Sequence, residues 1–147
     1  MCEQFQVSGL ERVASPSLLV WPGRVQSNIE RMIELCGGPE RLRPHVKTHK
    51  MDAVVRLQLA AGIDKFKAST IAEVEMCLAA GARDVLLAYP VVGPGQDRLV
   101  RLAMAYPHGQ LAFLVDSADV LPGMIAPCLA AGVELAAFVD FDCGMAR

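Results

Sequence analysis

Two kinds of hydrophobic pattern alternate along the chain. Apolar residues recur at three-to-four spacing at Val25, Ile29, Met32, Ile33 and Cys36, and again at Ile71, Val74 and Leu78, and this spacing predicts amphipathic helices. Between such stretches lie short continuous apolar runs, DVLLAY, QLAFLVD and LAAFVDF, bounded by turn or charged residues. Runs without polar alternation predict strands covered on both faces, as in a parallel sheet. The punctuation agrees. Three helices end in the same words, AAGIDKF, AAGARDV and AAGVELA, which place Gly62, Gly81 and Gly132 as left-handed residues leading into the next strand. Thr70-Ile71-Ala72-Glu73 reads as a capping box, with the Thr70 hydroxyl and the Glu73 carboxylate each accepting from free backbone amides.

The layout that follows has a leading strand at Leu18 to Trp21, a helix from about Val25 to Cys36, and five strand-plus-helix steps, the last without its helix. The five strands are expected at Leu42 to Thr48, Lys65 to Ala68, Val85 to Tyr89, Leu111 to Val115 and Leu135 to Phe141. Pro122 and Pro127 predict a kinked or split helix after the fourth of these, since an interior proline removes a backbone hydrogen bond and crowds the preceding turn. Such a pattern fits an open doubly wound sheet or part of a (β/α)8 barrel. A whole barrel takes about 250 residues, so a chain of 147 is expected to be an open sheet or the N-terminal part of a longer protein.

Composition narrows the function. With 53% hydrophobic residues, 20% charged and a net charge of -2, the chain has core material for one globular unit and no basic field for a nucleic-acid backbone. Aromatics at 5% are too few for base-stacking platforms, so a small-molecule partner is expected. MCEQFQVSGLERV does not read as a signal peptide, and every long apolar run is broken by Gly, Pro or a charge, so no membrane span is expected and the cytoplasm is the default. Cys2, Cys36, Cys77, Cys128 and Cys143 form no Cys-x-x-Cys pair and are expected to be reduced and mostly buried.

Against this background RPHVKTHK, Arg43 to Lys50, is a local anomaly of basic and imidazole side chains. As a strand continuing through His49, its parity would put Arg43, His45, Lys47 and His49 on one face and Pro44, Val46 and Thr48 on the other. Such a polar face belongs at the C-terminal end of a strand, where parallel α/β folds place their ligands. His45 and His49 on a strand would be about 13 Å apart, at roughly 3.3 Å per residue, too far to share a metal ion. An anion cradle is the better reading. Lys47, flanked by His45 and His49, would have its protonated form disfavoured if either were cationic, and a neutral lysine is a nucleophile suited to a Schiff base with an aldehyde cofactor.

Other candidates are weaker. GPGQDR, Gly93 to Arg98, has neither a dinucleotide fingerprint nor a Walker lysine and reads as a turn and helix start. Lys65 and Lys67 share one strand face, Lys67 on the side of the expected site or at a partly solvated strand end. Asp140 and Asp142 share a face and are expected to orient Arg147, Cys143 lies within the same polar exit, and His108 is expected to be solvated.

RPHVKTHK resembles the cofactor-lysine motif of the D-threonine aldolase and D-serine dehydratase group, pyridoxal-phosphate enzymes with the alanine racemase type of barrel. The similarity continues collinearly through SPSLLV, NIERM, KASTIAEVE, VLLAYPVVG and VDFDCGMAR, from Ser15 onward. The resemblance implies a partial (β/α)8 barrel with about five of eight strand-helix units, residues 1 to 147 being the N-terminal part of a domain that binds pyridoxal 5'-phosphate. It places the Schiff-base lysine on Lys47 and the arginine beside the cofactor ring oxygen on Arg147, which ends an Asp-x-Gly-x-x-Arg pattern; His45 is expected to flank the cofactor. His49, by its place beyond the lysine, is the candidate for assisting proton transfer. The implied activity is a lyase acting on a small β-hydroxy D-amino acid, by aldol cleavage to glycine and an aldehyde or by dehydration. A non-catalytic pyridoxal-phosphate binding protein and an amino-acid racemase are the alternatives. Racemases proper follow the lysine with Ala, Asn and a Tyr-Gly-His stretch, whereas Lys47 precedes Thr48, His49 and Lys50. No metal site is expected in these residues; a divalent ion, Mn or Zn, together with the remaining strands, would belong to a later C-terminal part. The full-length protein is expected to be a homodimer, and this part alone inactive.

Overall fold

The computed structural model describes residues 7–145. Its first long element, α1 (Pro22–Cys36), starts on Pro22, where a missing N–H leaves nothing unpaired, and ends on Gly37 at φ 77°. It inserts Ile29 into the core. Then follow α2 (Asp52–Ala60), β1 (Lys65–Ala68), α3 (Ile71–Ala79), β2 (Asp84–Pro90), α4 (Pro94–Ala105), β3 (Gln110–Val115), α5 (Leu121–Ala131) and β4 (Ala136–Val139). The four strands form one parallel sheet in the order β1-β2-β3-β4, with Lys65 beside Asp84, Leu86 beside Ala112 and Leu114 beside Phe138.

Period-two alternation sorts the sheet into two faces. One carries Phe66, Val85, Leu87, Leu111 and Phe113, all buried in a single cluster with Val74, Cys77 and Leu78 of α3 and Leu99 of α4. Burying one such large apolar side chain contributes about 1.5–3 kcal/mol. The other face carries Lys65, Lys67, Asp84, Leu86, Ala112 and Leu114. The repeated AAG joint is present as expected, with Gly62, Gly81 and Gly132 at φ 90°, 104° and 65°. A side chain there would be strained, and each of these glycines turns the chain out of a helix.

Several expected elements differ. Leu18 to Trp21 forms no strand and Leu18 is exposed, because a short apolar run becomes a strand only when a neighbour pairs with it. The strand expected at Leu42 to Thr48 reduces to one bridge, His45 beside Lys67, followed by a 3₁₀ turn at Val46–Thr48. The sheet therefore has four strands rather than five. The segment after β3 is divided, but ahead of its prolines: a 3₁₀ turn, Ala118–Val120, abuts α5, whose first turn holds Pro122 and which runs on through Pro127. Of the described cysteines only Cys77 is fully buried, and Cys143 is exposed. Burial, with the nearby Glu73 charge second, pushes the Cys77 thiol up to about 12, so it is a core residue and not a nucleophile. Among the described residues no helix is long and apolar enough to cross a membrane.

Candidate active site at the C-terminal end of the sheet

Arg43 to Lys50 runs along the outer edge of β1 and turns away at its C-terminal end. The Lys67 N–H donates to the Pro44 carbonyl at 2.9 Å, which sets the register of the bridge. Arg43 stays on the polar face and makes a two-pronged ion pair with Asp84 of β2, at 2.6 and 2.7 Å. After His45 the backbone tightens. His45 acts as the cap of the 3₁₀ turn, its Nδ1 accepting from the Lys47 N–H at 3.3 Å. Thr48 Oγ1 donates to the His45 carbonyl, and the Val46 carbonyl accepts from both His49 and Lys50.

This turn overturns the single polar face. In a 3₁₀ helix side chains three apart lie on the same side. Val46, which is fully buried, thus falls with the half-buried His49, while Lys47 and Thr48 are exposed. Arg43 and His45 keep their strand face, but Lys47 and His49 no longer share it. The 13 Å separation inferred for extended chain does not apply either. Among the described residues, no group of three or more His, Cys, Asp or Glu side chains is placed to hold a metal ion.

The imidazoles also differ from expectation. Burial, then the charges of Lys47 and Lys67, hold His45 below its ordinary value, against opposing effects from Glu73 and a backbone hydrogen bond. Burial holds His49 below its ordinary value as well, despite Met51 and Glu73. Burial thus favours the neutral form of both rings, so the condition under which they would disfavour a protonated Lys47 is itself disfavoured. Their tautomers follow from the turn. His45 Nδ1 accepts from Lys47 and His49 Nδ1 accepts from the Met51 N–H at 3.1 Å, so each ring carries its proton on Nε2. Nε2 of His49 is buried and has no partner among the described residues.

Glu73 lies behind the turn. Its side chain is 5% exposed and its Oε1 takes a hydrogen bond from Lys50 Nζ at 2.6 Å. Oε2 accepts from the Ser69 amide and hydroxyl at 2.8 and 2.9 Å, and the Glu73 N–H donates to Thr70 Oγ1, completing the expected cap. Burial pushes this carboxyl up, but the hydrogen bonds from Lys50 and Ser69 outweigh it, and it lies below the usual carboxylate value. Lys50 has φ 51°, among the described residues the one non-glycine at positive φ. A left-handed lysine costs on the order of 1 kcal/mol, and such residues persist where other contacts hold them.

The sequence pattern did not reveal Asp84 and Glu73 as partners of this segment. For Glu73 a signal existed: it stands one residue before Val74 and four before Cys77, so a helix of period 3.6 puts its carboxylate on the buried face of α3. Asp84 carried no signal, since its partner lies 41 residues away. Elsewhere the structure shows where the weaker candidates lie. Gly93 precedes α4 as a turn, and Gln96 donates to the Val120 carbonyl at 2.9 Å. His108 is exposed, Lys67 is half-buried on the polar face, and Asp142 accepts from the Gly144 N–H. The backbone N–H of Asp140 donates to Val115. Arg147 lies outside the described residues. An apolar groove of about 340 Å³ between α5 and β4, lined by Phe113, Met124, Leu129 and Leu135, includes none of the basic segment.

The fold is shared with known proteins. The family model for the N-terminal domain of alanine racemase matches residues 21–147. The chain belongs to this family. Among members with an assigned activity, D-threonine aldolase of Arthrobacter sp is 29% identical over 139 residues, covering 94% of this chain and 36% of that protein. D-threo-3-hydroxyaspartate dehydratase of Delftia sp. is 32% identical over 130 residues, covering 87% and 33%. The crystal structure of D-threonine aldolase from Filomicrobium marinum superposes with a TM-score of 0.82 at 27% identity, over 94% of this chain and 37% of that one. The chain thus spans about a third of the length of these relatives, and the sheet corresponds to part of an alanine racemase-like barrel.

Proposed function

We propose that Lys47 is the residue to which pyridoxal 5'-phosphate attaches, and that this chain supplies the cofactor-lysine side of a lyase acting on small β-hydroxy D-amino acids. The observation that carries this reading is the placement of Lys47: an exposed amine on a hydrogen-bonded turn beyond the last bridge to β1. The residues present suit the group. An aldehyde needs an accessible amine, which Lys47 offers, and an anionic ring substituent finds the cation of Lys67 and the donor nitrogen of His45 close to it. The names of the relatives, an aldolase and a dehydratase of hydroxylated D-amino acids, support this substrate class.

When bound, the cofactor supplies an electron sink for bonds broken next to the substrate amine. The chain's own residues do the rest. The capped turn fixes the Lys47 backbone amide on His45, so the amine leaves from a defined point. His49, with its proton on Nε2, is a hydrogen-bond donor in this state, with its other ring nitrogen engaged by Met51. It assists proton transfer by hydrogen-bonding to the oxygen that gains or loses the proton, without giving up its own. His45 orients, and Arg147 is the further residue assigned to the cofactor. Aldol cleavage and dehydration both need the substrate hydroxyl activated, which we assign to residues after 147 in the full-length protein, with a divalent metal.

Brief treatment with pyridoxal 5'-phosphate, borohydride reduction and peptide mapping tests the assignment. A pyridoxyl group on Lys47, lost in Lys47→Ala, is the expected result. Recovery on Lys50, or an even spread over Lys50, Lys65 and Lys67, would overturn it.

A further inference from the structure

The turn that carries Lys47 is tied to the sheet on one side, through Pro44 and Lys67. On its other side the chain must reverse toward α2 within a few residues. Lys50 makes that reversal, with φ 51° and its N–H donating back to the Val46 carbonyl at 2.8 Å. Glycine would do this without strain. A lysine does it with something glycine lacks, a side chain that reaches the buried Glu73 carboxylate at 2.6 Å. Glu73 cannot follow a moving partner. It is fixed by the amide and hydroxyl of Ser69, and its own N–H is held by Thr70, at the joint between β1 and α3.

We infer that the Lys50–Glu73 pair is a positioning latch, which clamps the turn to the β1–α3 joint and so fixes where Lys47 and His49 leave the backbone. The inference rests on the reading of Lys47 as the cofactor lysine, but its geometry concerns this chain alone. Lys50 is a positioning residue: its ammonium is engaged by Glu73 and acts on the site through the turn. His49 reports on the latch directly, because the Met51 N–H that selects its tautomer lies one residue beyond Lys50. With the latch open, Lys50 relaxes toward negative φ, Met51 shifts, and His49 loses the bond that keeps its proton on Nε2.

The test uses the 147-residue chain and the variants K50R, K50G, K50M and E73Q. In the cofactor-free chain, ¹⁵N resonances of the imidazole give the tautomer of His49. The wild type and K50R are expected to hold the Nε2–H form, while K50M and E73Q show a mixture of both tautomers. With pyridoxal 5'-phosphate and borohydride, labelling of Lys47 relative to the half-buried Lys65, whose Nζ donates to the Glu40 carbonyl at 3.1 Å, is expected to fall at least tenfold in K50M and E73Q, and less than threefold in K50R. K50G separates a latch from simple backbone strain. It removes the strain and the ion pair together, so the latch predicts a loss like that of K50M. K50G equal to wild type in both readouts, or K50M unchanged in both, would overturn the inference. If the wild type labels elsewhere than Lys47, the functional reading falls while the tautomer measurement still decides the latch.

Discussion

Replacing Asp84 with asparagine removes one charge from the ion pair that ties the basic segment to the second strand. Arg43 and Asp84 side chains are only 26% and 23% exposed, and two hydrogen bonds of 2.6 and 2.7 Å join them. An exposed pair of this type is worth about 0.2–1 kcal/mol, whereas removing one partner of a fully buried pair costs about 3–5 kcal/mol. With three quarters of each side chain withdrawn from water, Asp84→Asn is expected to cost about 2 kcal/mol, mostly the penalty of leaving the guanidinium half-buried with only neutral acceptors, the new amide oxygen and the Phe66 carbonyl. For a chain of this size that is a fall in Tm of roughly 4–8 °C. Urea titrations of Asp84→Asn, Arg43→Met and the double variant should give a coupling of about 1–2 kcal/mol. Removing both partners should cost less than the sum of the two single losses. A loss under about 0.5 kcal/mol for Asp84→Asn, together with strict additivity, would show that the pair does not hold the segment to β2.

Two further outcomes follow from the same region. Thr70→Ala removes the hydroxyl that accepts from the Glu73 N–H, and thermal denaturation should show a loss of about 1 kcal/mol, with Thr70→Ser close to wild type. His45 and His49 are held below their ordinary values, so the unfolded chain takes up protons first as pH drops below about 6.5. Their contribution is complete above that pH and is lost on acidification. Glu73, also depressed, adds a second loss below its ordinary value near 4.5. Urea midpoints should therefore fall from pH 7.5 to 5.5, and less steeply in His45→Asn, which keeps a cap acceptor without titrating; a flat profile in the wild type would contradict the burial of these rings.

The parts of the fold legible in the sequence were those set by local chemistry. Lys65 to Ala68 is a strand with the bounds expected between the AAG joint and the Thr70 cap, and the AAG joints turn through left-handed glycines because only glycine enters that conformation freely. The Thr70–Glu73 cap was legible for the same reason, since both partners lie within one turn. What stayed hidden depended on distant partners. Leu18 to Trp21 looked like a strand but pairs with no strand among the described residues, and RPHVKTHK looked extended because side-chain parity takes an extended backbone for granted. The histidines cap backbone amides two residues on, a role more familiar for Asp, Asn or Ser, and this bends the chain into a 3₁₀ turn. Lys47 was assigned from the sequence. The latch and the Arg43–Asp84 brace were not, because both join residues more than twenty positions apart.

The spatial order of the sheet is its chain order, and this bears on how the protein is made. Each strand docks on its immediate predecessor, so every loop to be closed is short and its entropy cost modest. A chain emerging from the ribosome amino-terminus first can add β2 to β1, β3 to β2 and β4 to β3 as each is released, with no strand waiting for one not yet synthesised. Growth also has a single direction, because the far side of β1 is taken by the bridge from His45 to Lys67. The segment that presents Lys47 is thus also the stop at which assembly of the sheet begins.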